Sequence, residues 1–170
     1  MTRLEHPSAV DGRALRSALG RFASGVTVVT TEVEDETFGM TANAFTSVSL
    51  DPPLVLVSIA ATAKMDARIR RAGSYGVSVL RREQEPLSLH FAGAARRERT
   101  VGWERRGGVP VLSGSIMQLG CSVVDSHPAG DHTLHVGRVE ELWFGNGDPL
   151  LFYTGAFRSL EVVRDDHHWF

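Results

Sequence analysis

Apolar residues near the start of the chain recur with the spacing of an amphipathic helix. Over 13–24 they fall at positions i, i+3, i+4 and i+7, with Asp11 upstream as a candidate N-cap and Gly25 as a candidate stop. The pattern therefore predicts a first helix here. Two other stretches have helical features: 62–73, with Thr62 as its candidate cap, and 83–91.

Most of the remaining chain reads as short strands rich in apolar and β-branched residues and separated by turn residues. These strands are predicted over 26–33, 37–45, 46–50, 54–60, 75–80, 115–124, 132–144 and 149–157. Because they follow one another with little room for helices, the pattern favours an antiparallel sheet or barrel over a repeating βαβ fold. The predicted class is mainly β with a few helices. The arginine-rich stretch 93–108 is predicted to be an exposed loop or turn.

Length, charge and cysteine content limit the classes of protein to which the chain can belong. A length of 170 residues predicts one domain over 1–170, with 1–12 expected to be a flexible N-terminal segment. A net charge of −2 argues against nucleic acid as the main partner. Cys121 is the only cysteine, and we expect it to be a small buried residue in a protein of the reducing cytoplasm. We see no apolar leader and no run long enough to span a membrane.

Small hydroxyl and amide side chains fill 41–49, directly ahead of the very apolar stretch 54–60. A strand that only packs would carry larger apolar residues on its inward face. We therefore expect a polar ligand beside this stretch.

Familiar catalytic and nucleotide motifs are missing from the sequence. It has no G-x-G-x-x-G after a strand, no P-loop, no G-x-S-x-G and no H-E-x-x-H. His127, His132 and His135 lie close together, but on one strand His132 and His135 would point to opposite faces and could not share a metal. We therefore do not expect a metal site.

Four basic residues cluster on and beside the stretch 62–73: Lys64, Arg68, Arg70 and Arg71. They are either a solvated helix face or a seat for a phosphate, since a helix start offers free N–H groups to an anion. Lys64, in the first turn, is the best candidate for a phosphate contact.

Taken in order, several segments resemble the flavin reductase-like family, the short-chain NAD(P)H:flavin oxidoreductases that serve two-component flavin-dependent monooxygenases. The segments are 14–31, 39–59, Phe-Ala-Gly at 91–93, Trp103, 107–115, 129–142 and 148–160. The resemblance implies an FMN-binding split β-barrel, Greek-key and antiparallel, flanked by short helices. It also implies a homodimer that binds FMN or FAD near the subunit interface.

The same resemblance implies which residues hold the cofactors. The positions that match the family's flavin contacts are Thr41, Ala42, Asn43, Ser47, Val48, Ser49, Ser58, Ile59, Ala63, Lys64, Phe91, Ala92, Gly93 and Arg99. Gly-Asp-His at 130–132 resembles the motif on the nicotinamide side, so His132 is expected to contact the dinucleotide, and Tyr153 is expected to flank the same pocket. Two positions depart from the family pattern: Thr100 stands where an aromatic commonly follows the basic residue, and Ala44 replaces a common serine.

The implied activity is transfer of a hydride from NADH to FMN or FAD, with reduced flavin supplied to a partner monooxygenase. NADPH stays open as an alternative to NADH, as does the choice between FMN and FAD. Three other functions remain open: a non-catalytic flavin carrier or sensor, a flavoenzyme of the pyridoxamine-phosphate-oxidase type, and a small-ligand barrel without redox chemistry.

Overall fold

The computed structural model describes residues 10–93 and 100–160. Over these ranges the chain forms three α-helices: α1 (Gly12–Leu19), α2 (Lys64–Ala72) and α3 (Glu85–Phe91). The first strands are β1 (Ser24–Gly25), β2 (Thr27–Val33), β3 (Glu36–Ala42), β4 (Phe45–Leu50), β5 (Pro53–Ala60) and β6 (Ser74–Val79). The later strands are β7 (Trp103–Arg106), β8 (Val109–Leu112), β9 (Met117–Ala129), β10 (His132–Phe144), β11 (Leu151–Tyr153) and β12 (Ala156–Arg158). The predicted mainly β class is confirmed.

One antiparallel sheet of seven strands, in the order β3-β2-β6-β9-β10-β5-β4, dominates the architecture. Its two edge strands, β3 and β4, follow each other in the chain and are separated only by Asn43 and Ala44. Two residues span at most about 10 Å from one strand end to the next, so the end of β3 and the start of β4 must lie close together and the sheet must curl toward a barrel. The corner where β3 ends and β4 begins, together with the unpaired edge of β4, is called the seam below.

Two apolar clusters pack on opposite faces of the sheet. Val29, Val57, Ile59 and Tyr75 belong to the first, which α2 covers. The second includes Val26, Val28, Leu80, Leu112 and Leu150. Val28 of β2 belongs to the second cluster and Val29 to the first, and 27–31 are all buried, so both faces of this strand are covered.

The first helix is shorter than its periodicity predicts. Asp11 caps it as expected, accepting a hydrogen bond of 2.6 Å from the amide of Ala14. The predicted stop at Gly25 is wrong, because the helix ends at Leu19 with Gly20 as its C-cap. The next residues pair with a distant strand instead, with Ser24 opposite Phe152 in β11.

Three other predictions about local structure are also wrong. Thr62 does not cap α2, whose N-cap is Ala63 without a side-chain hydrogen bond. The stretch 149–157 is not one strand, because Thr154 and Gly155 have positive φ values of 49° and 79° and turn the chain between β11 and β12. The stretch 93–108 is not wholly a loop, because 103–106 form β7, which pairs with β8.

Cys121 is 1% exposed, as expected, and burial raises its pKa to about 12. Across 10–93 and 100–160, none of the helices combines the length and the apolar character needed to span a bilayer. Residues 1–9, which make up most of the predicted flexible segment, lie outside the described part of the chain.

Substitution of Gly120 tests how closely β7 approaches the barrel. A Cβ atom at this position would lie 1.8 Å from the carbonyl oxygen of Arg106, so we expect Gly120→Ala to lower the free energy of unfolding by about 1–3 kcal/mol. Gly25→Ala is the matched control, because a Cβ there meets no atom within 4 Å. Urea unfolding measures both, and equal midpoints for the two variants would contradict the close approach.

Candidate active site

The hydroxyl-rich stretch lies on β4, at the seam of the barrel. Ser47 is exposed, Ser49 is half-buried, and a register shift between them marks a bulge at Val48. Within the described ranges β4 pairs with β5 alone. Its other edge therefore presents backbone donors and acceptors, together with small polar side chains, to whatever lies at the seam.

Ser58 and Ile59, on β5, play different parts. Ser58 is half-buried on the outer face of the sheet, and its amide donates to the carbonyl of Ala44 at 3.0 Å. The Ile59 side chain is 0% exposed in the first core cluster. Its backbone pairs with Thr133 of β10, so Ile59 serves the core and the β5–β10 ladder.

Helix α2 begins four residues after β5 and offers an open N-terminus. Ala63 is its N-cap, in an extended conformation. No residue of the described ranges accepts a hydrogen bond from the amide of Lys64 or Met65. Unpartnered amides at the positive end of a helix dipole suit a phosphate or carboxylate.

Three of the four basic residues on α2 contact other side chains of the protein, and the fourth makes no such contact among the described residues. Arg70 donates to Asp66 at 3.0 Å, Arg71 pairs with Glu34, and the guanidinium of Arg68 lies 3.5 Å from the ring centroid of Phe38. Among the described residues, Lys64 makes no ion pair and is exposed. Lys64 is therefore the cation best placed to receive an external anion beside the helix start.

The turn that carries His132 lies at the same end of the sheet as the start of α2. His132 is opposite Ala60 across β10 and β5, and the amide of Ala61 donates to the carbonyl of Asp131 at 2.9 Å. Gly130 begins the two-residue turn with a φ of 62°, a conformation that favours glycine. The barrel thus places the histidine turn beside the helix start.

Asp131, which the sequence did not single out, orients His132. Oδ1 of Asp131 lies 2.7 Å from Nδ1 of His132, and the imidazole is 42% exposed. Because a carboxylate only accepts hydrogen bonds, Nδ1 carries the proton and Nε2 is left for a ligand. The hydrogen bond from His132 and its charge lower the pKa of Asp131, with a smaller contribution from Arg16 of α1.

Candidate residues at the end of β3 are partly engaged within the fold. The hydroxyl of Thr41 donates to the carbonyl of Ser88 in α3 at 2.7 Å, and the Ala42 carbonyl accepts from Thr27 at 2.6 Å. The side-chain amide of Asn43 donates to Ser24 at 3.3 Å. These contacts hold one side of the seam in place.

The Phe-Ala-Gly segment ends α3. The ring of Phe91 packs against the second core cluster and lies over Gly39, where a Cβ atom would be 2.5 Å from the ring. Ala92 and Gly93 are exposed, whereas Arg99 lies outside the described residues. Phe91 thus serves packing, and the two small residues after it are open to a ligand.

Tyr153 lies in a separate three-stranded sheet, β1-β11-β12. Its side chain is 37% exposed. The next residue, Thr154, donates its amide to the carbonyl of Gly20 at 2.8 Å, which ties this hairpin to the end of α1. Helix α1 therefore borders the tyrosine hairpin.

These elements form a site suited to holding a flat, phosphate-bearing molecule. It has an open helix start with Lys64, a strand edge with small hydroxyls and an oriented imidazole. Histidines 132 and 135 face opposite sides of β10, as predicted, since His132 is half-exposed and His135 is 0% exposed. In the described ranges no three His, Cys, Asp or Glu side chains are grouped so as to hold a metal ion.

Comparison with known proteins identifies several relatives of this chain. A family model described as a flavin reductase-like domain matches residues 19–161. An NADH-dependent flavin reductase from a Rhodococcus species is 65% identical over 158 residues, 91% of this chain and 90% of that protein. The reductase component of 4-hydroxyphenylacetate 3-monooxygenase from Thermus thermophilus is 40% identical over 148 residues, 86% of this chain and 95% of that protein.

A solved structure adds the fold and the ligands that a relative binds. It is an NADH:FAD oxidoreductase from Streptomyces globisporus in complex with NAD and FAD fragments. Its TM-score to this chain is 0.84 at 37% identity, covering 94% of this chain and 100% of that one.

The Asp131–His132 contact can be tested in the apo protein. Because the hydrogen bond from His132 is the main cause of the lowered pKa of Asp131, we expect His132→Ala to move this pKa back toward its ordinary value. Carbon-13 NMR of the aspartate carboxyl groups follows the titration. His127→Ala is the control, since His127 pairs with Asp125 instead. An unchanged Asp131 titration in His132→Ala would show that the imidazole does not hold this carboxylate.

Proposed function

Since the chain belongs to the flavin reductase-like domain family, we propose that it is an NADH-dependent flavin reductase that supplies reduced flavin to a partner monooxygenase. The bound cofactors supply the chemistry, which is transfer of a hydride from C4 of the reduced nicotinamide to N5 of FMN or FAD. The protein's part is to bind and align two flat molecules. One observation carries the assignment: the open start of α2 and the oriented His132 lie at the same end of the β5–β10 pair, beside the seam.

Lys64 and the first amides of α2 are assigned to the flavin phosphate. Their geometry suits an anion, because the positive end of the helix dipole, two free N–H groups and an exposed ammonium converge there. The other three basic residues of the helix are held by partners within the fold. Phosphate recognition thus falls to Lys64.

The seam is assigned to the flavin ring and the ribityl chain. Ser47, Ser49 and Ser58 place small hydroxyls there, and the unpaired edge of β4 adds main-chain donors and acceptors. Small residues allow a flat ring to approach the backbone closely. Thr41, Ala42 and Ile59 border the ring through the fold that they support, since their backbones pair with β2 and β10.

His132 is assigned to the dinucleotide. Asp131 fixes its Nδ1, so Nε2 faces the ligand as a hydrogen-bond acceptor when the ring is neutral. Aligned rings with reacting atoms about 3–3.5 Å apart need no strong acid or base for hydride transfer. The absence of a nucleophile–base pair from the sequence motifs fits this chemistry.

A homodimer is proposed as the working form. The single chain leaves several large apolar side chains exposed, including Leu50 at 94%, Phe22 at 82% and Leu19 at 64%. Such residues commonly mark protein contacts. We also propose a cytoplasmic location, which the single buried thiol of Cys121 supports.

Anaerobic mixing with NADH tests the activity directly. The oxidised flavin absorbance should disappear as NADH is consumed, with FMN or FAD, and comparing FMN, FAD and riboflavin ranks the substrates. A carrier or sensor would bind flavin tightly yet leave NADH unchanged. An enzyme of the pyridoxamine-phosphate-oxidase type would also fail to bleach with NADH alone. Either result would overturn the assignment.

Lys64→Ala tests the phosphate assignment. Loss of a charge-assisted contact worth about 1.5–3 kcal/mol should weaken FMN binding by about tenfold or more, while riboflavin, which has no phosphate, changes little. Flavin fluorescence titration measures both affinities. Arg71→Ala is the matched control, because it removes a cation from the last turn of the same helix. Equal losses for FMN and riboflavin would contradict the role of Lys64.

His132→Ala tests the nicotinamide assignment. We expect the KM for NADH to rise about fivefold or more, since a hydrogen bond to the dinucleotide is lost, while flavin affinity stays within about twofold. Steady-state kinetics at saturating FMN and a flavin titration separate the two effects. His127→Ala again serves as the control. An unchanged KM for NADH would remove His132 from the site.

A further inference from the structure

A buried hydrogen-bonded chain links β10 to the first turn of α2, and none of the roles assigned above uses it. His135 is 0% exposed, and its Nε2 lies 2.8 Å from Oδ1 of Asp66. On the other side of the ring, Nδ1 lies 2.8 Å from the hydroxyl of Ser126. Both ring nitrogens of a buried imidazole therefore have a partner.

The carboxylate of Asp66 is held on both oxygens. Arg70 donates from Nε to Oδ2 at 3.0 Å, and its other end donates to the hydroxyl of Thr133 at 3.0 Å. Burial would raise the pKa of Asp66, but hydrogen bonds from Thr133, Arg70 and His135 lower it overall. Burial lowers the pKa of His135. In this hydrogen-bonded network the guanidinium of Arg70 balances the carboxylate of Asp66, and the neutral imidazole of His135 donates from Nε2.

The two ends of this chain lie next to the two halves of the candidate site. Asp66 is in the same turn of α2 as Lys64, two residues further on. His135 is three residues from His132 on β10, and its side chain points into the core while that of His132 does not. The contact between Asp66 and His135 therefore ties the phosphate seat to the strand that carries the nicotinamide-side histidine.

We propose that His135 is a positioning residue for flavin binding: through Asp66, it holds the first turn of α2 where its amides and Lys64 meet the flavin phosphate, in register with His132. This inference rests on the proposed function.

The first turn of α2 is expected to move because a buried charge that lacks hydrogen-bond partners is unfavourable. Asp66 is 7% exposed, so without the donor on His135 its carboxylate keeps Arg70 and Thr133 but its Oδ1 loses the hydrogen bond from Nε2 of the imidazole. A buried charge that loses a partner is costly, and moving the first turn toward water relieves that cost. Such a movement displaces Lys64 and the adjacent amides and shifts Met65 within the first core cluster, whereas Ile69 holds the far end of the helix in that cluster.

A purely structural role for His135 predicts a different result. If the imidazole only filled space in the core, its loss would destabilise the barrel and affect every flavin alike. A positioning role instead predicts a loss that depends on the phosphate. The ratio of FMN to riboflavin affinity therefore distinguishes the two roles.

Two substitutions at position 135 isolate the contact with Asp66. The amide of His135→Asn ends near the place of Nδ1, so it keeps Ser126 within reach and loses Asp66, whereas His135→Gln extends to the place of Nε2 and can still donate to Asp66. Leu112→Val is the control for stability, because Leu112 is fully buried in the second core cluster, away from α2.

Fluorescence titration of the apo proteins with FMN and with riboflavin measures the effect, and thermal unfolding reports stability. We expect His135→Asn to weaken the binding of FMN about tenfold and that of riboflavin less than about twofold. The affinity of His135→Gln for both flavins should stay within about threefold of the wild-type value. Leu112→Val should lower Tm without changing the ratio of FMN to riboflavin affinity. If His135→Asn does not fold, Asp66→Ala removes the same contact from the helix side. A reduced FMN-to-riboflavin affinity ratio in Asp66→Ala then supports the positioning role, and an unchanged ratio overturns it.

Equal losses of FMN and riboflavin in His135→Asn, or an unchanged ratio, would overturn the positioning role alone, provided that wild type prefers FMN and oxidises NADH. Wild type that binds both flavins equally and leaves NADH unchanged would overturn the proposed function together with this inference.

Discussion

The short connection through Asn43 and Ala44 is the constraint on which the barrel depends. It joins β3 to β4, which stand at opposite ends of the seven-strand order, and so brings the end of one edge strand to the start of the other. Thr41 and Ala42 pair with β2, whereas the free edge of β4 has no strand partner in the described ranges, and its backbone polar groups need other partners. The seam therefore offers backbone hydrogen-bond donors and acceptors that a closed, fully paired barrel would not offer.

The composition of 41–49 follows from this geometry. Large apolar residues at the seam would fill it, whereas the small hydroxyls of Ser47, which is exposed, and Ser49, which is half-buried, leave it open. The other side is held by the hydrogen bond from Thr41 to α3. The antiparallel pairing of β5 with β10 then places both the start of α2 and the Gly130–Asp131 turn at one end of the sheet. Closure and register together bring an anion site and an oriented histidine to the same opening.

Much of the fold could be predicted from local patterns. The bounds of β10, 132–144, agree with the predicted strand, and half-buried and buried positions alternate over 132–137. Predictions failed where a distant segment competes with a local preference. Ser24 leaves the helical pattern because it pairs with Phe152, and the last predicted strand turns at Thr154 to pair with itself as β11 and β12.

The residue types of the site and the likeness to a family were determined by the sequence, since motif order and spacing are local properties that survive without coordinates. Which of these residues are free to bind was decided only by the tertiary structure. Arg71 pairs with Glu34, 37 residues away, and Arg68 contacts Phe38 of the same β2–β3 hairpin, so Lys64 is left for an anion. Likewise His135 and Asp66 are 69 residues apart, and no sequence pattern reports their contact. The physical reason is that burial and ion pairing depend on which distant segments pack together, and the closure of the barrel determines that packing.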